Sequence, residues 1–531
     1  MTRELIQMSS SLTPSANKPA VSGIGALKPS VAGSSSVNPL GSNASGRENW
    51  MSPAPTAPEL HRHNWQERAL GFAPILLATY VFFLFSRIFE ASLLFGFGNL
   101  YLMMVISAVG LLVIFLGGDF LRAAGTPAGL IFLVFTFWAV VIMPFSSWHS
   151  ESLEVFGNIW LKSVAAFFII AGLSRSFDHT RKVFMFLGIG AVVSLVVVIL
   201  SGHLAGDRFE SFGSMANANE VAFHLMLGLP FIAYVIGRSK VVWKIPLAAA
   251  FLGSIVYSLK TVSRAGIIIA VVLFVIAFVQ VSFANKIKLL CIGAAGAAIG
   301  LLLLDQASVS RYLTILNPDS VSDEAARSAR ESADTRKYKL EQGIELTYMH
   351  PIAGVGMGDF IPASAELSTS KGEKPIWIAS HNSYVQVSSE TGIPGFGLFC
   401  TVFAICYIQL IRLGKTARRL RLEELRSMSV CALLALVALS IHFFFDAIAW
   451  DYYFPMIAGL SMALVYTSRP LIAKAEAEAL GGTETPALET AAGTSTQGWL
   501  RPSFTVPSKT SQPQPRNPYR LGRRRGIGSR Q

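Results

Sequence analysis

The residues best suited to chemistry lie between long apolar runs of the chain. The first group is Gly206-Asp207-Arg208-Phe209-Glu210, followed by Asn217-Ala218-Asn219. The second is Ser258-Leu259-Lys260-Thr261-Val262-Ser263-Arg264-Ala265-Gly266, which squeezes two cations between two apolar runs. Arg264 falls on the first turn of the helix that follows. A cation there opposes the helix dipole unless an anion is also present. A phosphate would relieve that opposition, since guanidinium groups and helix N-termini both bind anions. The plainer alternatives are an ion pair from Arg208 to Asp207 or Glu210, and snorkelling of Lys260 and Arg264 to lipid phosphate. The third group is a long polar segment. Residues 322–345 alternate charged and small residues, with Arg327, Arg330, Arg336, Lys337 and Lys339, and predict a helix that could simply be solvated. His350-Pro351-Ile352-Ala353-Gly354-Val355-Gly356-Met357-Gly358 follows, and it lacks the strand–helix setting of a dinucleotide fingerprint. Its glycines suit a tight backbone path. The segment ends in His381-Asn382-Ser383-Tyr384, then Glu390-Thr391-Gly392-Ile393-Pro394-Gly395. A histidine can accept a proton near neutral pH, although a single one is more often structural.

The elements that position these groups must be membrane-spanning helices. The chain has 531 residues, 52% hydrophobic and only 14% charged, with a mean hydropathy of +0.50. A soluble chain carries about a quarter charged residues. Twelve apolar runs, each about 17–22 residues and so long enough to span a bilayer, lie near 70–86, 99–116, 127–143, 155–173, 182–201, 220–237, 242–259, 265–283, 288–304, 393–412, 428–446 and 452–468. The expected fold is an all-α polytopic membrane protein of about twelve spans. Residues 67–470 form its transmembrane domain and 305–392 one large external loop. The Ser-, Pro- and Gly-rich ends, 1–66 and 471–531, are expected to be disordered.

Basic residues orient the spans. Arg62 and Arg68, Arg175 to Lys182, Arg238 to Lys244, Lys286 and Lys288, Lys415 to Arg421, and Arg469 all fall in alternate connections. That side is the cytoplasm by the positive-inside rule, and both termini lie there. The net charge of +12 is thereby read as topology rather than nucleic-acid binding. The segments carrying Arg208, Arg264, Arg336 and His381 fall on the opposite, external side. Cys291, Cys400, Cys406 and Cys431 sit in apolar runs without ligand or disulfide spacing. Two ionisable pairs at helical spacing, Glu220 with His224 and His442 with Asp446, mark either paired helix ends or the mouth of an external cavity.

Taken together, Arg208 to Asn219, Ser263-Arg264-Ala265, the His350 to Gly356 segment, and His381-Asn382-Ser383-Tyr384 through Gly395 resemble the O-antigen ligase and Wzy-type polymerase superfamily over roughly residues 180–460. The resemblance implies a glycosyltransferase of the bacterial inner membrane that uses neither metal nor cofactor. It would move a glycan from undecaprenyl diphosphate to an acceptor at the periplasmic face. Under it, Arg208, Arg264, Arg336 and Lys260 would meet the diphosphate. Tyr338 stands where the family often carries Trp. His381 would deprotonate the acceptor or orient the sugar, supported by Asn382, Glu390 and Asn219. No carboxylate cluster suited to Mg²⁺ occurs in these motifs. The expected partners are the lipid-linked donor, the acceptor glycan, the bilayer, and chain-length or export proteins, with no nucleic acid. A polymerase of exopolysaccharide or O-antigen repeats is the first expectation, and a ligase or protein O-oligosaccharyltransferase the alternative. A transporter would need functional residues and broken helices at the midplane. A scaffold of an export complex would tolerate changes to the external Arg and His residues.

Overall fold

The computed structural model describes residues 57–89, 101–205, 208–211, 213–215, 217–280, 283–302 and 324–479. The expectations for Asp207, for 305–323 and for the outer parts of both tails lie outside those residues. In chain order the helices are α1 (Ala57–Ser86), α2 (Leu102–Leu116), α3 (Asp119–Ala124), α4 (Pro127–Ile142), α5 (His149–Val155) and α6 (Leu161–Leu173). They continue with α7 (Phe177–Ser201), α8 (Ala218–Arg238), α9 (Val241–Lys260), α10 (Arg264–Gln280) and α11 (Phe283–Leu302). The last are α12 (Glu324–Met349), α13 (Phe360–Ser370), α14 (Ser383–Arg419), α15 (Glu423–His442), α16 (Tyr453–Thr467) and α17 (Arg469–Ala479). A two-stranded antiparallel hairpin, β1 (His203–Ala205) and β2 (Arg208–Glu210), joins α7 to α8 and pairs Ala205 with Arg208.

The described residues of the twelve apolar runs are mostly helical, although 155–173 is divided between the end of α5 and α6 and 428–446 leaves α15 at His442. Among the described residues, eight helical stretches are long and apolar enough to cross a membrane, and α2, α10 and the Gly71–Ser86 part of α1 are shorter apolar helices. The chain is a multi-pass membrane protein. Two segments expected to be disordered are helical in part: α1 begins at Ala57, and α17 extends to Ala479.

Local chemistry sets several helix starts. Thr126 accepts a hydrogen bond from Gly129 N at 3.1 Å with Pro127 at the first helical position, and Ser176 accepts one from His179 N at 3.2 Å. Both satisfy amide groups that the first turn leaves open. Stacked aromatic rings fill the centre of the bundle: Phe132 lies on Phe167, Phe135 on Trp450, and Phe403 on Phe454. In a bilayer such packing, rather than escape from water, holds helices together. A buried ion pair from Arg175 to Asp119 ties α3 to the start of α7 at the basic end.

The polar segment after α11 is described from Glu324 onwards. It forms two helices: α12 falls on the helix expected over 322–345, and α13 was not anticipated. Lys339 of α12 is buried and donates to Gln342 Oε1 at 3.0 Å and Ser364 Oγ at 2.9 Å, fastening α12 to α13. Burial lowers its pKa from the usual lysine value.

Candidate functional site

Four sequence elements meet at the hairpin end of α8. Asn217 caps α8 by accepting from Asn219 N at 2.9 Å. This leaves the Asn219 side chain, buried, facing the α9–α10 turn. Its Oδ1 accepts from Arg208 Nη2 at 3.0 Å and from Ser263 Oγ at 2.8 Å. Arg208 also donates to the Thr261 carbonyl oxygen at 3.4 Å. The turn is tight: Thr261 Oγ1 donates to the Ser258 carbonyl at 2.7 Å, and Val262 takes a left-handed φ of 51°. A β-branched residue is rarely found there, so the surrounding bonds must enforce the conformation. Arg264 begins α10 directly after it.

Arg208, Arg264 and Arg336 line one small pocket with Asn219, Val262, Ser332 and Ala333. The three guanidinium groups come from β2, α10 and α12, so positions more than a hundred residues apart share one cavity. Lys260 stands apart from this lining, with its ammonium over the Tyr257 ring at 5.4 Å. Arg87, just past α1, adds a cation that no motif in the sequence marks. It donates to Tyr453 Oη at 3.1 Å and lies 4.9 Å from the Tyr452 ring centroid.

A second group lies one turn further along α8, where Phe223 follows Asn219 at the i,i+4 spacing that puts two side chains on one face. The Phe223 ring stacks on His442 with centroids 4.0 Å apart and planes 1° from parallel. His442 Nε2 is 3.7 Å from Asp446 Oδ2, and Asp446 Oδ1 is 3.8 Å from His381 Nδ1. Both separations are longer than hydrogen bonds. His381, at a left-handed φ of 48°, directly precedes Asn382, which caps α14 by accepting from Tyr384 N and Val385 N at 3.0 and 3.1 Å. Asn382 therefore holds the backbone beside His381, and the side chain facing the imidazole is Asp446.

Glu390 is placed differently from the expectation that it supports His381. It is buried, accepting from Trp450 Nε1 at 2.7 Å and Gly358 N at 2.6 Å. It fastens the glycine segment to α14. Val355 N and Gly356 N donate to the carbonyls of Ser389 and Glu390 at 2.8 and 3.1 Å, and Ile393 N donates to that of Pro351 at 2.8 Å. Gly354 and Gly392 have φ of +69° and +70°, and a side chain at either would collide with the opposing backbone. Asp359 secures the other edge, accepting from Ser152 Oγ at 3.1 Å and Trp148 N at 3.2 Å as well as from Ser146 Oγ. Burial raises its pKa above the usual carboxylate value, against the lowering effect of those bonds.

Neither histidine of the two pairs lines a cavity mouth. His224 is buried, with Nδ1 2.9 Å from Tyr453 Oη and Nε2 3.1 Å from the Phe85 carbonyl, and His442 is fully buried beneath Asp446. The i,i+4 spacing of Glu220 and His224 could not disclose this, because it is equally compatible with either face of a helix; α15 ends at His442, so Asp446 lies in the turn that follows it.

The site thus offers a cationic pocket able to hold an anion and, where α14 begins and α15 has ended, an imidazole set against a carboxylate. A family model described as O-antigen ligase matches residues 247–400. No curated protein matches the chain. The match spans Arg264, Arg336, His381 and Glu390, while Arg208, Asn219 and Asp446 lie outside it. Across the residues that carry the α9–α10 turn, α12 and the His381 segment, the chain is therefore similar to the O-antigen ligases, in support of its resemblance to the O-antigen ligase and Wzy-type polymerase superfamily of membrane glycosyltransferase-like enzymes.

Proposed function

We propose that this chain polymerises oligosaccharide repeat units carried on undecaprenyl diphosphate, at the periplasmic face of the bacterial inner membrane, for an exopolysaccharide or O-antigen. The observation that carries this reading is the convergence of Arg208, Arg264 and Arg336 on one pocket. In the reaction, the bond from the donor sugar's anomeric carbon to the diphosphate oxygen breaks as the bond to the acceptor oxygen forms. The bonding electrons leave with the diphosphate, whose growing charge the guanidinium groups stabilise from fixed positions. The acceptor hydroxyl gives its proton to His381, whose Nδ1 faces Asp446, leaving Nε2 for the acceptor. Asp446 would stabilise the imidazolium that results. Because the guanidinium groups supply the positive charge, the reaction as drawn needs no metal. Both termini are cytoplasmic under this reading, and about twelve spans carry the site.

A ligase reading uses the same donor chemistry with lipid A core as acceptor, and the description of the matched family favours it. The test is the purified protein in liposomes with a lipid-linked repeat unit, with chelator present, followed by gel and mass analysis of the lipid product. A ladder of multiples, absent for Arg264→Ala and His381→Ala, supports the polymerase. Transfer only when lipid A core is added supports the ligase. Full activity in both variants overturns the mechanism.

A further inference from the structure

A cleft of about 650 Å³ opens between α5 and α13, bounded by Trp148, Glu151, Ile361, Pro362, Glu366 and Trp377. It is within the size range of small-ligand sites. It runs into a second cavity of about 230 Å³ through shared walls at Glu151, Gly358 and Ile361, and that cavity reaches Ser380, Gln386 and Asp451. Ser380 directly precedes His381. The two neighbouring cavities therefore extend from an aromatic outer mouth to the segment that precedes the proposed base.

The lining has a definite chemistry. Trp377 is 65% exposed and stands with Trp148 in the cleft lining, so the cleft offers aromatic surface to an occupant. An indole face carries partial negative charge and accepts the carbon-bound hydrogens that line one face of a pyranose ring. Carboxylates accept bonds from hydroxyl groups on the ring edge. Glu390, in the inner wall, is held by Trp450 and Gly358, so the acidic groups of the outer cleft are Glu151 and Glu366, with no Lys, Arg or His in either lining among the described residues. A cleft of that charge repels uronates and phosphates, in contrast to the arginine pocket. Its walls are held firm: Ser147 N donates to the Val355 carbonyl at 3.0 Å, and Trp148 N to Asp359 and to Ser146 Oγ at 3.1 Å.

We propose that this cleft is the acceptor subsite and binds the terminal sugars of the acceptor as neutral or amino-substituted pyranoses, directing their free hydroxyl towards His381. The identification of the occupant as the acceptor rests on the glycosyl-transfer reading above.

The test is direct binding to the full chain in nanodiscs, without donor, of neutral, amino-substituted and uronate oligosaccharides matched in length, by calorimetry and saturation-transfer NMR. Wild type is expected to bind neutral or amino-substituted members at least about tenfold more tightly than uronates. Trp377→Ala is expected to weaken that binding about tenfold, with Glu366→Gln as a second variant in case the first unfolds. Arg264→Lys is expected to bind as wild type does. Absence of binding to every member, a preference for uronates, or unchanged binding in both Trp377→Ala and Glu366→Gln overturns the subsite. Binding lost in those variants, in a protein that transfers nothing from a lipid diphosphate, supports the cleft while sinking the transfer reading. Transfer with an unaltered acceptor KM in Trp377→Ala sinks the cleft alone.

Discussion

At the scale of single residues, the proposed mechanism divides the charged groups into those that meet substrate and those that hold other residues. Arg264→Ala should lower transfer by about two to three orders of magnitude, the range expected when a fixed group that stabilises transition-state charge is removed. A steady-state assay in liposomes checks this, and a loss under about threefold would remove Arg264 from the mechanism. Asp446→Asn should lower transfer by about tenfold or more while leaving residual activity, because the imidazolium formed at His381 in the reaction loses its anionic neighbour. A loss under about twofold in the same assay would make Asp446 merely structural. Asp359 gives a stability prediction of definite sign. Its pKa is raised in the folded protein, so its contribution is fully present below the ordinary value of 3.8 and is lost as pH rises through the raised value. Asp359→Asn removes that dependence. The melting temperature of the variant minus that of wild type should therefore become more positive across the window. A flat difference would contradict the assignment.

At the scale of elements, two features decide where His381 and the sugar cleft sit. One is the Asn382 cap of α14, and the other is the break at Gly392. Gly392 has φ +70° and ψ −179° inside an otherwise helical run, and Pro394 follows two residues later. The break turns Ile393 N towards the Pro351 carbonyl, so the glycine segment docks where α14 stops being regular. Gly392→Ala should cost on the order of 1–3 kcal/mol, through a strained φ and a collision with Ile352. Thermal unfolding in detergent measures it, and a change under about 0.5 kcal/mol would mean the backbone relaxes freely. The same break explains why α14 outruns the predicted span at 393–412. Its first turns, from Ser383, belong to the docked segment, and hydropathy does not register them.

At the scale of the whole molecule, the arginine pocket, His381 and the Trp377 cleft all belong to loops and helix ends on one side of the bundle. The cations of the 415–426 region lie at the other ends of α14 and α15. The proposed topology puts the first set outside the cell. In a cysteine-free background, Ser370→Cys should react with a membrane-impermeant maleimide on intact spheroplasts, and Ser427→Cys only after permeabilisation. The reverse pattern would invert the protein and rule out periplasmic transfer.

The amino-acid sequence by itself determined the twelve apolar runs, the alternation of basic connections, and the anomaly of Arg208 and Arg264, while Arg336 and Asn219 came from the family resemblance. The first three are written locally, as composition, spacing and cations placed against the positive-inside rule. Only the tertiary structure decided which of them meet. Lys260 differs from Arg264 by a few positions along a turn, yet points to Tyr257 instead of the pocket. Glu390 reads as a possible partner of His381 but is spent on Trp450 and Gly358, while Asp446, some sixty residues away, faces the imidazole. Trp148 and Trp377 carry no local signal, because an indole in a core and an indole in a cleft look the same in sequence. The reason is general to such sites: a contact between distant segments depends on how helices pack and where they break, and side-chain spacing along one helix reports only its own faces.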